Sequence, residues 1–195
     1  MVTPYFSTHG PELWFLNRSS GVVVLVLLTL SLALGILGAG RQAGGHVPVF
    51  VPHALHRNLS VLALVLTAAH ALTAVIDTYV DIRWWQVFSP VGGSYRPLWL
   101  GLGALAFDLM LLVALTSAAR HRLGPVAWRR IHLLGYAVWP IAFAHGAGIG
   151  TDAETPWARW VALACVVLLA LAVIVRVGRG GDGVHRAPTT TGGRP

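Results

Sequence analysis

The sequence predicts an all-α integral membrane protein, a bundle of about five transmembrane helices. Of its 195 residues, 55% are hydrophobic and only 11% are charged, and the mean hydropathy is +0.68. A soluble domain of this size does not have such a composition. Apolar runs of membrane-spanning length recur along the chain, separated by loops rich in glycine, proline or arginine.

The apolar runs divide the chain into three parts: an outer N-terminal tail (residues 1–20), a transmembrane domain (residues 21–177) and a disordered cytoplasmic tail (residues 178–195). The five spans are predicted at residues 21–40, 54–76, 98–118, 128–145 and 157–175. Prolines 48 and 52 should end helical structure before the second span, leaving His46 and His53 in a solvent-facing loop. The segment after that span, with Trp84 and Trp85, is typical of the membrane interface.

Four histidines form the candidate site. The second span carries His56 and His70, which are 14 residues apart, and the fourth carries His132 and His145, which are 13 apart. At about 1.5 Å per residue these separations are roughly 21 and 20 Å, so the histidines fall at two common depths. Neutral imidazoles that are buried in a membrane need partners, and haem iron accepts one imidazole on each axial face. The spacing favours a b-type cytochrome with two haems, one held by His56 and His132 and the other by His70 and His145.

The spacing of 13 does not suit an ideal helix. At about 100° per residue, a step of 14 falls only some 40° short of whole turns, whereas a step of 13 leaves His132 and His145 about 140° apart. The fourth span must therefore be kinked or locally rewound. Pro140 lies between the two histidines and is the candidate cause.

Asp108, near the middle of the third span, is costly at that depth and is therefore a candidate functional group. It is predicted either to tune the site, by orienting a ligand histidine or holding a water, or to be a protonated structural hydrogen-bonder. A metal or proton transporter would also use buried histidines and Asp108, although it would gather them at one midplane site. A haem-free structural subunit is the other alternative.

The arginines predict the orientation. Ten of the 14 fall in the first loop, the third loop and the C-terminal tail, which places these parts and the C-terminus in the cytoplasm and the N-terminus outside. His56 and His132 are then at the cytoplasmic level, and His70 and His145 at the outer level. The net charge of +7 follows from this topology and does not indicate nucleic-acid binding. Four arginines are candidates for docking an acidic donor or neutralising haem propionates: Arg120, Arg122, Arg129 and Arg130.

The run TSAARHRLGPVAWRRIH, followed 13 residues later by His145, resembles the ferric reductase-like transmembrane domain family. That family includes the membrane parts of ferric reductases and NADPH oxidases and the haem-binding subunit of the periplasmic methionine sulfoxide reductase system. The Leu-Gly-x-x-x-Trp-x-x-x-His arrangement from Leu123 to His132 is similar to that subunit's. The resemblance covers roughly residues 20–177.

The resemblance implies axial ligation of haem iron by His56, His70, His132 and His145, and oxidoreductase activity as electron transport across the plasma membrane. Members usually have six helices, and full-length reductases carry a flavin and nicotinamide module, which this sequence lacks. A separate electron donor, either a flavoprotein or a quinol, and a separate outer acceptor are therefore expected.

Overall fold

The computed structural model of the chain describes residues 11–39, 50–77, 80–93, 95–150 and 154–182. Within these ranges the regular structure is helical. The helices are α1 (Pro11–Gly38), α2 (Phe50–Ile76), α3 (Pro97–Ala118), α4 (Pro125–His132), α5 (Gly135–Ile149) and α6 (Pro156–Asp182), with a single 3₁₀ turn at Trp84–Val87.

Proline marks the start of several helices. Pro97, Pro125 and Pro156 are the first residues of α3, α4 and α6. A proline at this position fixes a helical φ, and its missing N–H is not needed, because the first turn has no acceptor for it. Local sequence therefore sets these three boundaries.

Several helix boundaries differ from the prediction. Residues 11–20, which were assigned to the outer tail, are the first part of α1, and α6 continues through residues 178–182 of the predicted disordered tail. Pro52 does not end helical structure, because it lies in the first turn of α2. His53 is exposed, as expected, but it lies in α2 and not in a loop, whereas His46 and Pro48 lie outside the described residues.

Four of the described helices are long and apolar enough to cross a membrane: Leu13–Gly38, Val51–Ile76, Pro97–Ala118 and Pro156–Arg179. The protein is therefore a multi-pass membrane protein. The predicted fourth span is two shorter helices, α4 and α5. That these two cross the membrane together as a fifth span stays a prediction.

The rewinding that the histidine spacing requires is found between α4 and α5. Three backbone N–H groups here bond to the carbonyl three residues earlier, at Leu134, Tyr136 and Ala137. Such 3₁₀ bonding turns the chain by about 120° per residue instead of about 100°. Over the roughly five residues that these bonds enclose, the excess is about 100°, which makes up much of the missing 140°. The change of winding lies at Leu133 and Leu134, and Pro140 stays inside α5.

The helices pack as two antiparallel pairs. α1 lies along α2, and α3 lies along α4 and α5, while α1 also contacts α5 and α6. In the described part of the bundle, α2 makes few close backbone approaches to α5, and the histidine rings of the two segments meet between them.

An apolar layer crosses the bundle halfway between the two histidine levels. Ala63, Met110 and Val138 are its buried centre, with four leucines packed around them: Leu27, Leu28, Leu64 and Leu109. The indole N–H of Trp139 donates a 2.8 Å hydrogen bond to the buried hydroxyl of Thr29 in the same region. This layer joins α1, α2, α3 and α5 and fixes their relative heights.

Candidate functional site

The four predicted histidines come together in the two predicted pairs. The ring centres of His56 and His132 are 6.1 Å apart, with their planes at 75°. Those of His70 and His145 are 6.5 Å apart, at 87°. In each pair one ring comes from α2 and the other from the α4–α5 segment.

The two histidines of α2 are held by backbone carbonyls of α1. His56 Nδ1 lies 2.8 Å from the carbonyl oxygen of Ser31, and His70 Nδ1 lies 2.9 Å from that of Asn17. The Asn17 side chain also donates to the His70 carbonyl, at 2.9 Å, and to the Thr73 hydroxyl, at 3.1 Å. α1 is therefore the support that fixes the height and direction of both α2 imidazoles.

α3 supports the other two imidazoles in the same way. His145 Nδ1 lies 2.7 Å from the carbonyl oxygen of Trp99. His132 differs, since its Nδ1 lies 3.3 Å from the side-chain hydroxyl of Ser117, and the indole of Trp128 stacks on its ring with centres 5.1 Å apart.

Three of the imidazoles rest directly against a glycine. A Cβ added at Gly103 would come within 2.5 Å of the His145 ring, and one at Gly21 within 3.1 Å of the His70 ring. At Gly35 the nearest atom of the His56 ring would be 3.4 Å away. Each glycine lies four residues after the carbonyl that its histidine contacts, so the missing side chain lets the ring reach that carbonyl.

These contacts were not predicted, although the sequence contains a signal for them. We call the small residue of α1 or α3 that lies against an imidazole its seat. Gly21 and Gly35 are 14 residues apart on α1, the same step as His70 and His56 on the antiparallel helix α2. Gly103 and Ser117 are also 14 apart on α3, and face His145 and His132. Matching steps on neighbouring helices place a small residue opposite each histidine at both levels.

The tautomer that these contacts impose suits a metal ligand. A carbonyl oxygen only accepts hydrogen bonds, so Nδ1 of His56, His70 and His145 carries the proton and Nε2 keeps its lone pair. Metal-bound histidines generally donate their other ring N–H to such a partner, which orients the ring and raises its basicity. The pair of His70 and His145 therefore offers two Nε2 lone pairs, and His56 offers one in the other pair, where the Ser117 hydroxyl leaves the tautomer of His132 open.

The separation within each pair matches that of two axial ligands on one iron. A metal–imidazole bond of about 2.0 Å and a distance of about 1.2 Å from Nε2 to the ring centre predict centres about 6.4 Å apart. The observed 6.1 and 6.5 Å lie on either side of this value. Within the described ranges no three metal-binding side chains gather at one point. Pairs of imidazoles are what haem takes, because the porphyrin supplies the remaining four donors.

Asp108 lies on α3 away from these seats. Its position is about 140° around the helix from Gly103 and about 180° from Ser117. Each of the four imidazoles has another contact at Nδ1. This geometry does not support the prediction that Asp108 orients a ligand histidine.

The candidate arginines are all exposed. Arg120 and Arg122 are in the turn between α3 and α4, and Arg129 and Arg130 are in the last turn of α4, beside His132. Their cationic groups also lie close to the carbonyl end of α4, where positive charge is stabilised by the helix dipole.

Residues 12–152 match the family described as a domain of unknown function, DUF8596. The chain belongs to this family. The matched region contains α1 to α5, with all four paired histidines and their supports, and stops before α6.

A protein from Caulobacter vibrioides, the protein-methionine-sulfoxide reductase heme-binding subunit MsrQ, is 35% identical to this DUF8596 chain over 92 residues. The alignment spans 46% of the chain and 41% of the relative's length. No solved structure matches the chain.

Proposed function

We propose that the protein is a membrane cytochrome of b type that carries electrons between a cytoplasmic-side donor and an outer acceptor, with two haems b as cofactors. The observation that carries this proposal is the double pair of imidazoles, each at the separation of two axial ligands and three of them locked in one tautomer by helix carbonyls. The similarity to a subunit named for binding haem supports it from an independent direction.

In this proposal each residue set has a distinct task. His56 and His132 hold the inner haem through Nε2, and His70 and His145 hold the outer one. The carbonyls of Ser31, Asn17 and Trp99 fix the orientation of three of the rings and keep the proton on Nδ1, which leaves the Nε2 lone pair for iron. Bound haem would supply reversible one-electron chemistry at its iron.

The apolar layer around Ala63, Met110 and Val138 excludes water between the two levels. A dry layer of this kind keeps protons and ions from crossing with the electrons, because charged groups are costly in hydrocarbon. The two sites can therefore exchange charge without opening an aqueous path through the protein.

The proposed orientation places α4 and its arginines on the cytoplasmic side, following the excess of arginine in the loops assigned to that side. A flavoprotein with an acidic surface or a quinol is then the donor, and Arg120, Arg122, Arg129 and Arg130 would dock it or bind haem propionates. The relative is named as a subunit of a protein-methionine-sulfoxide reductase, so a reductase of that kind is the outer acceptor to test first. The surrounding partner is the lipid bilayer.

The test is the haem content of the purified protein and of histidine variants, measured by the pyridine haemochrome assay and the Soret band. We expect two haems b per chain. His56→Ala and His132→Ala should each lose the same haem. His70→Ala and His145→Ala should each lose the other haem, which is spectroscopically distinct. The two variants of a pair should therefore have the same absorbance spectrum. The exposed His121, replaced by Ala, is the matched control and should keep both.

Protein that folds and inserts with ample haem but shows no Soret absorbance would contradict the proposal, and would favour a transporter or a structural subunit. A His56→Ala protein that retains two haems would remove His56 alone from the ligand set.

A further inference from the structure

One of the four imidazole supports is chemically different from the other three. His56, His70 and His145 each face a backbone carbonyl at 2.7 to 2.9 Å, whereas His132 faces the Ser117 hydroxyl at 3.3 Å. At 3.3 Å the contact is at the long end of the range for a hydrogen bond. When Nε2 of His132 binds iron, as proposed, Nδ1 carries the proton, and its acceptor is then the most distant of the four.

The Ser117 hydroxyl is also shared. The Trp128 indole N–H, which can only donate, points at the same oxygen at 3.4 Å. An oxygen that accepts from two donors offers each a poorer bond. Trp128 also stacks on the His132 ring, with planes 29° apart, so it holds the ring in place while competing for its acceptor.

Ser117 lies against His132, where a glycine lies against each of the other three histidines. It is 14 residues after Gly103 on α3, the step that separates the two glycine seats of α1. With a side chain at this position, the hydroxyl takes the place that the carbonyl has at the other three seats.

We infer that Ser117 is a positioning residue that tunes the haem held by His56 and His132, by acting as a deliberately weak acceptor for His132 Nδ1–H. A stronger acceptor makes the imidazole more basic and stabilises oxidised iron, and a weaker one raises the reduction potential. Ser117 and Trp128 together then set the potential of this haem independently of the other. This inference rests on the proposed haem ligation.

The experiment is a potentiometric redox titration of the purified protein in detergent. The component that disappears in His132→Ala identifies the haem in question. Ser117→Ala removes the acceptor and should raise that haem's potential, with the reduction equilibrium shifted by on the order of tenfold, or about 59 mV for one electron. Ser117→Thr keeps the hydroxyl and should restore the wild-type value.

Trp128→Phe is the second variant, because it keeps a stacked ring but removes the competing N–H. It should lower the same potential by freeing the Ser117 oxygen for His132. The matched control is Thr116→Val, since the Thr116 hydroxyl donates within its own helix, to the Leu112 carbonyl at 2.7 Å. The potential of the haem held by His70 and His145 should stay constant in all of these variants.

The inference is overturned if Ser117→Ala and Trp128→Phe both leave the potential unchanged, or shift it in the same direction, in protein that retains both haems. Wild-type protein without haem would instead refute the proposed function itself, so the two failures are distinguishable.

Discussion

Replacing Gly103 by alanine tests whether the imidazole seats hold the cofactor. The new Cβ would lie 2.5 Å from the His145 ring, and ordinary contact begins at 3.4 Å, so the ring must move by the difference, about 0.9 Å. The 2.7 Å bond from His145 Nδ1 to the Trp99 carbonyl would lengthen to about 3.6 Å, which is no longer a hydrogen bond. Loss of such a partner typically weakens metal binding 10- to 100-fold, or by about 1.4 to 2.8 kcal/mol.

The assay is haem retention in the purified variant, followed by a haem titration of the depleted protein. Haem loss should be greatest in Gly103→Ala and smaller in Gly21→Ala, where the added Cβ would be 3.1 Å from the His70 ring. In Gly35→Ala the Cβ would be 3.4 Å from the His56 ring, so haem content should be close to wild type. Gly146→Ala is the matched control, because a Cβ there meets nothing within 4 Å and should stabilise α5 by up to about 1 kcal/mol. Equal haem affinity in the Gly103 and Gly146 variants would refute the reasoning.

Three further perturbations test other parts of the structure. Thr29→Val leaves the half-buried indole N–H of Trp139 without its 2.8 Å acceptor, so we expect stability to fall by about 1 kcal/mol, seen as a lower Tm in detergent. An unchanged Tm would argue against that contact. Asp108→Asn should leave both haem potentials unchanged in redox titrations at neutral and mildly alkaline pH, because Asp108 lies on the side of α3 away from the seats. A shifted potential would support a tuning role for Asp108. Arg120→Glu combined with Arg122→Glu should slow reduction by an acidic cytoplasmic-side donor in stopped-flow measurements, most at low salt. If the variant and the wild-type protein were reduced at equal rates at every salt concentration, these arginines would only determine the membrane orientation.

Much of the molecule could be predicted from its sequence. Composition and the long apolar runs determined an all-helical membrane protein, because backbone groups in lipid must bond within their own helix. The apolar runs placed the starts of α3 and α6 within one residue of Pro97 and Pro156, whereas α4 begins at Pro125, three residues before the predicted fourth span. The steps of 14 and 13 between the histidines determined which of them share a level, since rise per residue is nearly constant in helices.

Only the tertiary structure decided how those histidines are held. The mismatch of the 13-residue step could be recognised from sequence, but the 3₁₀ turn around Leu133 and Leu134 that supplies extra rotation was not predicted from it. The seats at Gly21, Gly35 and Gly103 are ordinary glycines in apolar helices until another helix brings a ring against them. A carbonyl accepts a hydrogen bond from an imidazole only when two helices bring the groups within about 3 Å. That distance depends on how the helices pack, and the sequence of either helix alone does not determine it.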